Sequence, residues 1–485
     1  MKATSIFGGV QVFTILISII RSKFIAILLG PTGMGISGLF NATISLVGSL
    51  SNFGLGLSAV KNVAAADSTG NPVRVAVVIK VLKRLVWITG LIGSIFTIIF
   101  SGWLSEITFG NREYTIAFIW LSATMLFNQL STGQLVVLQG LRKLQYMAKA
   151  SLSGSILGLF ITIPIYYIWG LDGIVPAIMI SSFVALARSW YFARKVKLEP
   201  VLVSNIRTIA ESKSMLLMGL MISVSGMLAS AASYFLRIFI NNTGSLEHVG
   251  LYNAGFAVIN TYVGLIFTAM GTDYFPRLSA VASDNEECTI TINQQAEIAV
   301  LILAPIIMVF LVFINWVVIL LYSTKFIAVN EMIHWAALGM FFKAASWSIS
   351  FIMLAKGAGK VFFWSEFSNN IYTLALNIIG YSLMGLTGLG ISFAISYLLY
   401  LTQVYVIARI KYGFRFNRLF FNIFSIQLLL AVGCFVSVKF LNSLSSYIIG
   451  IIFIVSSSTY SYLELDKRLN IQLLLLKLKE KYLLK

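Results

Sequence analysis

Ile15-Leu-Ile-Ser-Ile-Ile-Arg21-Ser-Lys23-Phe-Ile-Ala-Ile-Leu-Leu29, running into Gly30-Pro31-Thr32-Gly33, is an apolar run of helix length with two cations in it. It belongs to the stretch Ala3 to Val60, which reads as two membrane spans joined at the Gly-Pro turn, with Arg21 and Lys23 its only charges. A cation at membrane depth costs roughly 3 kcal/mol or more unless a water-filled cavity, a partner or an anionic ligand receives it. The rest of the chain supplies almost no acid deep enough to pair with these two. Two readings stand side by side: the cations face a negatively charged guest, or both snorkel to the outer surface. For a span over residues 6–29, Arg21 lies about 13 Å below the outer end. That is beyond easy snorkelling and favours the guest.

The same composition continues outward to both ends. Of 485 residues, 58% are hydrophobic and only 11% charged, and the mean hydropathy is +0.90. Soluble domains carry about a quarter charged residues, so a soluble globule is excluded. Apolar windows of about 20 residues recur throughout, which makes the chain an all-α polytopic membrane protein. A sliding window of about 19 residues gives about fourteen spans. They lie near 6–29, 36–60, 85–103, 115–138, 150–169, 173–192, 215–240, 250–271, 298–322, 334–355, 361–383, 389–408, 420–440 and 447–463. The opening run is kept as a span and not a cleaved signal, because Gln11, Arg21 and Lys23 interrupt any signal core. Cys288 and Cys434 have no metal-ligand spacing and read as free apolar thiols.

Charge placement sets the orientation. With the N-terminus inside, 28 of the 35 Lys and Arg fall on the cytoplasmic side, and only Arg112, Lys325 and Lys439 fall outside. Arg21, Lys23, Arg237 and Lys343 remain within spans. The positive-inside rule therefore puts both termini in the cytoplasm. It also accounts for the net charge of +18 with no nucleic acid as partner. One cytoplasmic loop dissents: Ser279 to Glu297 carries Asp284, Glu286, Glu287 and Glu297.

The chain repeats. Gly35-Ile-Ser opens the second span and Gly250-Leu-Tyr the eighth, a shift of 215 residues. That shift carries Ser22, between Arg21 and Lys23, onto Arg237, and brings Lys61 within one residue of Arg277. Transporters commonly arise from such repeats, with the site between the halves. The expected organisation is a six-helix N-terminal lobe over residues 1–200 and a six-helix C-terminal lobe over 201–412. Two additional helices follow over 413–465, then a basic amphipathic tail over 466–485 that reads as lying on anionic lipid, with a plain solvated helix as the alternative.

No P-loop is present, because Gly359-Lys360 is followed by Val361 and Leu354 stands where a glycine is required. ATP is therefore not the direct energy source, and a proton or sodium gradient is expected instead, with no bound cofactor, no metal and no catalytic residue. The two histidines, His248 and His334, sit near outer helix ends, and the outer loops are too short for a catalytic domain. The other intramembrane charges are Lys343 and Glu366, on adjacent antiparallel spans where a pair is feasible. That pair reads equally as a static bridge or as an ion-responsive switch. Glu366, with Asp273 at the inner mouth of the eighth span, is the candidate for ion coupling.

Gly250-Leu-Tyr-Asn and Thr272-Asp-Tyr-Phe-Pro-Arg-Leu-Ser279 resemble the eighth-helix signature of polysaccharide flippases in the multidrug/oligosaccharidyl-lipid/polysaccharide exporter superfamily. Phe341-Phe-Lys343-Ala-Ala-Ser-Trp347 with Phe362-Phe-Trp-Ser-Glu366 resembles bacterial O-antigen flippases, and Leu29-Gly-Pro-Thr-Gly-Met-Gly35 is similar to that family's first helix pair. The resemblance implies a V-shaped pair of pseudo-symmetric lobes around a central cationic cavity. That cavity passes a lipid-diphosphate-linked sugar from the inner to the outer leaflet. Arg21, Lys23, Arg237 and Lys343 are then the expected substrate-binding cations, and Lys61 and Arg277 the expected cytoplasmic gate. The two spans after residue 412 depart from a twelve-helix pattern; lipid II flippases also carry two extra helices.

The leading expectation is thus a flippase for an undecaprenyl-diphosphate-linked oligosaccharide, the O-antigen repeat unit, in the bacterial inner membrane. Its partners would be that lipid-linked oligosaccharide, the membrane lipids, and the pathway's polymerase and chain-length regulator. A lipid II flippase is one alternative. A cation-exporting drug antiporter of the same superfamily is a second, against which the cationic spans speak. An integral-membrane enzyme or polymerase of polysaccharide assembly is the third, and the sequence offers few reactive groups at the outer face for one.

Overall fold

The computed structural model describes residues 2–469, and over them the chain is helical with short connections. In order, α1 (Lys2–Leu28), α2 (Gly30–Asn52), α3 (Leu55–Ser68), α4 (Pro72–Ile99), α5 (Ser101–Phe109), α6 (Thr115–Gly140), α7 (Leu144–Trp169) and α8 (Ile174–Ala193) come first. Then follow α9 (Asn205–Thr243), α10 (Leu246–Phe256), a π-helical segment Ala257–Val263, α11 (Leu265–Ala280) and α12 (Asn285–Leu321). The chain continues with α13 (Asn330–Ala355), α14 (Gly359–Tyr412), α15 (Arg418–Phe440) and α16 (Ser443–Leu469). Each of the fourteen expected spans falls on helix, several of them across a break. By length and apolarity, eight described stretches are long enough to cross a membrane, nine if bent α4–α5 is included. Two of the eight, Leu144–Ala193 with 50 residues and Gly359–Tyr412 with 54, are more than twice the ~20 residues of one crossing. The protein is a multi-pass membrane protein.

Local chemistry explains the ends of these helices. Asn71 accepts from the amides of Val73 and Arg74, with Pro72 in the first turn, so α4 starts there. Asn417 caps α15 in the same way, 2.6 Å from the Phe420 amide. Within spans, hydroxyls bond back to their own helix, as Thr43 does to the Leu39 carbonyl at 3.0 Å and Ser348 to Ala344 at 3.0 Å. Such bonds give each hydroxyl a partner without water. Large apolar side chains such as Phe160, Ile168, Leu383 and Leu429 are more than two-thirds exposed. In water that would be a liability; in a bilayer it is the lipid-facing surface.

The chain forms two compact units, Met1–Leu251 with Leu321–Lys325, and Tyr252–Leu320 with Phe326–Lys485. The first is packed around Leu55, Ala59, Val78, Leu82, Val136 and Met215. The second is packed around Tyr274, Leu278, Ile292, Ile349, Tyr400 and Phe414. The first unit runs on to Leu251 because α9 packs on α2, α3, α4 and α5. Both cysteines are free and buried.

Three expectations are corrected. The turn expected over Gly30-Pro31-Thr32-Gly33 is made by Gly30 alone, whose φ is 68°, and α2 already takes in Pro31 to Gly33. The second span is broken at Phe53 and Gly54, both left-handed, and Lys61 lies inside α3 and not beyond a helix end. The acidic loop shrinks to residues 281–284, because Asn285 opens α12 and Glu297 is a buried residue of that helix. The spans at 361–383 and 389–408 meet, as two arms of α14, at a break on Gly385, whose φ is 58°. The basic tail from residue 470 onward lies outside the described residues, although Lys467 and Arg468 complete α16.

The 215-residue repeat reappears in space. A Cβ on Gly35 would run into the Leu246 carbonyl oxygen, and a Cβ on Gly250 would run into the Pro31 oxygen. Pro31 and Leu246 are related by the same shift as Gly35 and Gly250, so the two contacts exchange under it. Close approach of small residues is how helices associate in lipid. Gly250→Val is therefore expected to lower the thermal midpoint in detergent by several degrees, about 1–3 kcal/mol of overpacking. Gly226→Ala, whose new methyl meets open space, should leave the midpoint unchanged. Equal midpoints for both variants would refute the contact.

Candidate functional site

In the first unit, Arg21 leans from α1 onto α7. Its Nη2 lies 3.0 Å from the point where a Cβ of Gly158 would stand, so the missing side chain makes the room. The Arg21 Nε is buried with no hydrogen-bond partner, and Arg21 makes no ion pair among the described residues. A guanidinium with an idle donor inside an apolar helix pair has capacity left for an anionic acceptor. Lys23, half-buried, is two positions on along the same helix, and residues so spaced do not share a face. The two cations that look adjacent in sequence therefore point apart. Arg237, on α9, folds back on its own helix and donates to the Ser233 carbonyl at 2.8 Å and to its hydroxyl. Lys61 is exposed on α3.

In the second unit, Lys343 on α13 is held in a cage. Its Nζ donates to Asn260 Oδ1 at 2.6 Å. It also lies 5.8 Å, 5.8 Å and 5.2 Å from the ring centres of Phe267, Phe393 and Tyr397. Cation–π contacts in low dielectric contribute about 2 kcal/mol when desolvated, which is how this charge is tolerated. Asn260 belongs to the π-helical segment, a local widening that recurs at functional sites. Sequence reading missed Asn260 and the three rings; the signal available was an amide inside an otherwise apolar span.

The expected Lys343–Glu366 pair is not formed. Glu366, on α14, accepts from the Tyr400 hydroxyl, while Gln403 beside it donates to Ser365 Oγ at 2.9 Å. Both of those interactions join the two arms of α14 across its kink, so the second arm of its own helix engages Glu366 in place of the α13 cation. Asp273 and Arg277, one turn apart on α11, form a pair at 3.6 Å. The Asp273 side chain is 82% exposed, and Arg277 also donates to Gln295 at 3.0 Å. Of the eight residues singled out, Asp273 and Arg277 are thus joined directly.

A family model of polysaccharide biosynthesis proteins matches residues 24–331, most of the chain. The chain belongs to that polysaccharide biosynthesis protein family. Among curated relatives of this family member, the "Putative O-antigen transporter" of Shigella flexneri is 24% identical over 394 residues, which is 79% of this chain and 91% of the relative. The lipid III flippase of Escherichia coli (strain K12) is 20% identical over 354 residues, 71% of this chain and 83% of that one. The fold matches a multidrug resistance MATE family transporter of the MOP superfamily in its inward-facing conformation. That match has a TM-score of 0.69 at 16% identity and covers 82% of this chain and 94% of the other. It also matches a lipid II flippase in an inward closed conformation, with a TM-score of 0.65 at 13% identity over 95% of this chain and 99% of the other. The family member therefore has the all-α fold of the MOP transporters.

Proposed function

We propose that this protein moves a polyprenyl-diphosphate-linked oligosaccharide, an O-antigen repeat unit, from the inner to the outer leaflet of the bacterial cytoplasmic membrane. The observation that carries the reading is Arg21, a cation inside an apolar helix whose buried Nε has no partner. A diphosphate taken out of water needs such donors, because charge-assisted hydrogen bonds are the strong ones and an Arg fork fits phosphate oxygens in pairs. The transporter and flippase relatives support the same class, and the protein is a carrier and not an enzyme. A cation-exporting drug antiporter would place acids where this chain places Arg21 and Lys343. Both termini lie in the cytoplasm and the chain crosses fourteen times.

A lipid II flippase is the second reading, favoured by the 95% of this chain that such a flippase structure covers. Complementation separates the two. Expression in a strain lacking its O-antigen flippase should restore surface polysaccharide. Rescue instead of a strain depleted of its lipid II flippase would move the substrate to the second reading, and rescue of neither would refute both.

Transport draws on an ion gradient, with Glu366 as the coupling acid: it is half-buried within α14 and engaged by a hydroxyl and not by a cation. Glu366→Gln is expected to keep substrate binding while transport ceases to respond to an imposed proton or sodium gradient in proteoliposomes. An unchanged response would return Glu366 to a structural role at the kink.

A further inference from the structure

Beyond the transport site, the first unit carries a groove that faces the lipid between α4, α6 and α8. Its volume is about 770 Å³, and its walls are Trp87, Leu126, Leu130, Phe183, Leu186 and Trp190. At the level of the middle of α8, Phe127 packs against Phe183, with ring centres 5.6 Å apart. The end where α8 stops holds the two charged residues of the lining, Lys83 and Arg194. Arg194 lies over the Trp190 ring at 4.4 Å, which fixes the guanidinium at the groove mouth. From Phe183 to Arg194 the helix rises about 16 Å, half of the ~30 Å hydrocarbon thickness. The groove is therefore one leaflet deep, apolar along its length, and cationic only at headgroup level on the side that the positive-inside rule makes cytoplasmic.

We propose that this groove binds an anionic glycerophospholipid of the cytoplasmic leaflet. Its acyl chains lie against Trp87, Leu130, Phe183 and Trp190, and its phosphate sits between Lys83 and Arg194. The depth argues for acyl chains, because a polyprenyl tail is several times longer than the groove. The charge argues for an anionic headgroup, because two cations without an acid among the lining residues give a zwitterionic lipid no counterpart for its ammonium.

The test uses the full-length protein in nanodiscs and in detergent. Phosphatidylglycerol with brominated acyl chains should quench tryptophan emission, and the quenching should shrink in Trp87→Phe/Trp190→Phe. At about 1 kcal/mol per basic residue near anionic lipid, Lys83→Gln or Arg194→Gln each weakens phosphatidylglycerol retention about fivefold and the pair about thirtyfold, while phosphatidylethanolamine retention is unchanged. Ala187→Trp, which fills the groove from α8, should displace the lipid without removing either cation. Equal retention of phosphatidylglycerol and phosphatidylethanolamine by the native protein would overturn the proposal, as would phosphatidylglycerol retention unaffected in both the charge and the filling variants. Stronger retention of a polyprenyl diphosphate than of phosphatidylglycerol would also overturn it and assign the groove to the transported lipid.

Discussion

Arg21→Ala is expected to abolish surface polysaccharide in a complemented flippase-deficient strain while the protein accumulates at the native level. The guanidinium is half-buried against Gly158 with an idle Nε, so its removal relieves an intramembrane charge and should not destabilise the helix pair. Under the proposed function, what is lost is the contact with the anion. Two charge-assisted hydrogen bonds to a diphosphate contribute roughly 1.5–3 kcal/mol each, which makes a transport deficit of about a hundredfold or more. Arg21→Lys keeps a point cation without the fork and should retain part of the activity. Arg21→Glu should be the most severe, because it adds repulsion. Gly158→Val is an independent route to the same site: the added side chain takes the space of Nη2 and should impair transport with Arg21 intact. Native polysaccharide levels from Arg21→Ala would make this residue a snorkelling anchor.

The second large effect concerns the last two helices. Arg468 on α16 donates to Glu297 of α12 at 2.9 Å, and also pairs with Glu464 at 2.7 Å. Asn417, ahead of α15, donates to the other Glu297 oxygen at 3.0 Å and so ties both C-terminal helices to one carboxylate. The Glu297 and Arg468 side chains are 4% and 16% exposed. Breaking a buried pair by removing one partner costs about 3–5 kcal/mol, whereas replacing both with apolar groups is close to neutral. Arg468→Ala should therefore lower the thermal midpoint sharply and expose α16 to protease. Glu297→Leu/Arg468→Leu should recover most of the loss. A midpoint unchanged in Arg468→Ala would mean that α16 is held by its apolar contacts alone.

Much of the fold was legible because apolar length and the placement of Lys and Arg are properties of single segments. Twenty apolar residues make a span wherever they occur, and every expected span is found in helix. The features that escaped depend on two segments at once. Glu297 looked like one of four loop acids, yet it is the buried anchor of α16, and nothing between residues 279 and 297 shows that a helix ending near Arg468 will reach it. Lys343 and Glu366 looked like a pair by depth. The hydroxyl of Tyr400 and the amide of Asn260 outcompeted that pairing, and neither is visible from the charge pattern. Arg21 and Lys23 looked like one site because they are close in sequence, although helical geometry alone sets them on different faces. Gly35 and Gly250, by contrast, were found as a repeat and turned out to touch, because neither carries the Cβ that would keep the two helices apart.

The central claim is that the purified protein moves a lipid carrying a diphosphate, and that intramembrane cations hold that group. Proteoliposomes loaded on one leaflet with a fluorescent polyprenyl-diphosphate oligosaccharide, under an imposed ion gradient, test it most directly. Native protein should bring the lipid to the other leaflet, where an external reductant bleaches it, while Arg21→Ala leaves it in place and a polyprenyl-linked sugar without phosphate is not moved. Equal movement of the diphosphate and phosphate-free lipids, or equal rates for native protein and Arg21→Ala, would contradict the account.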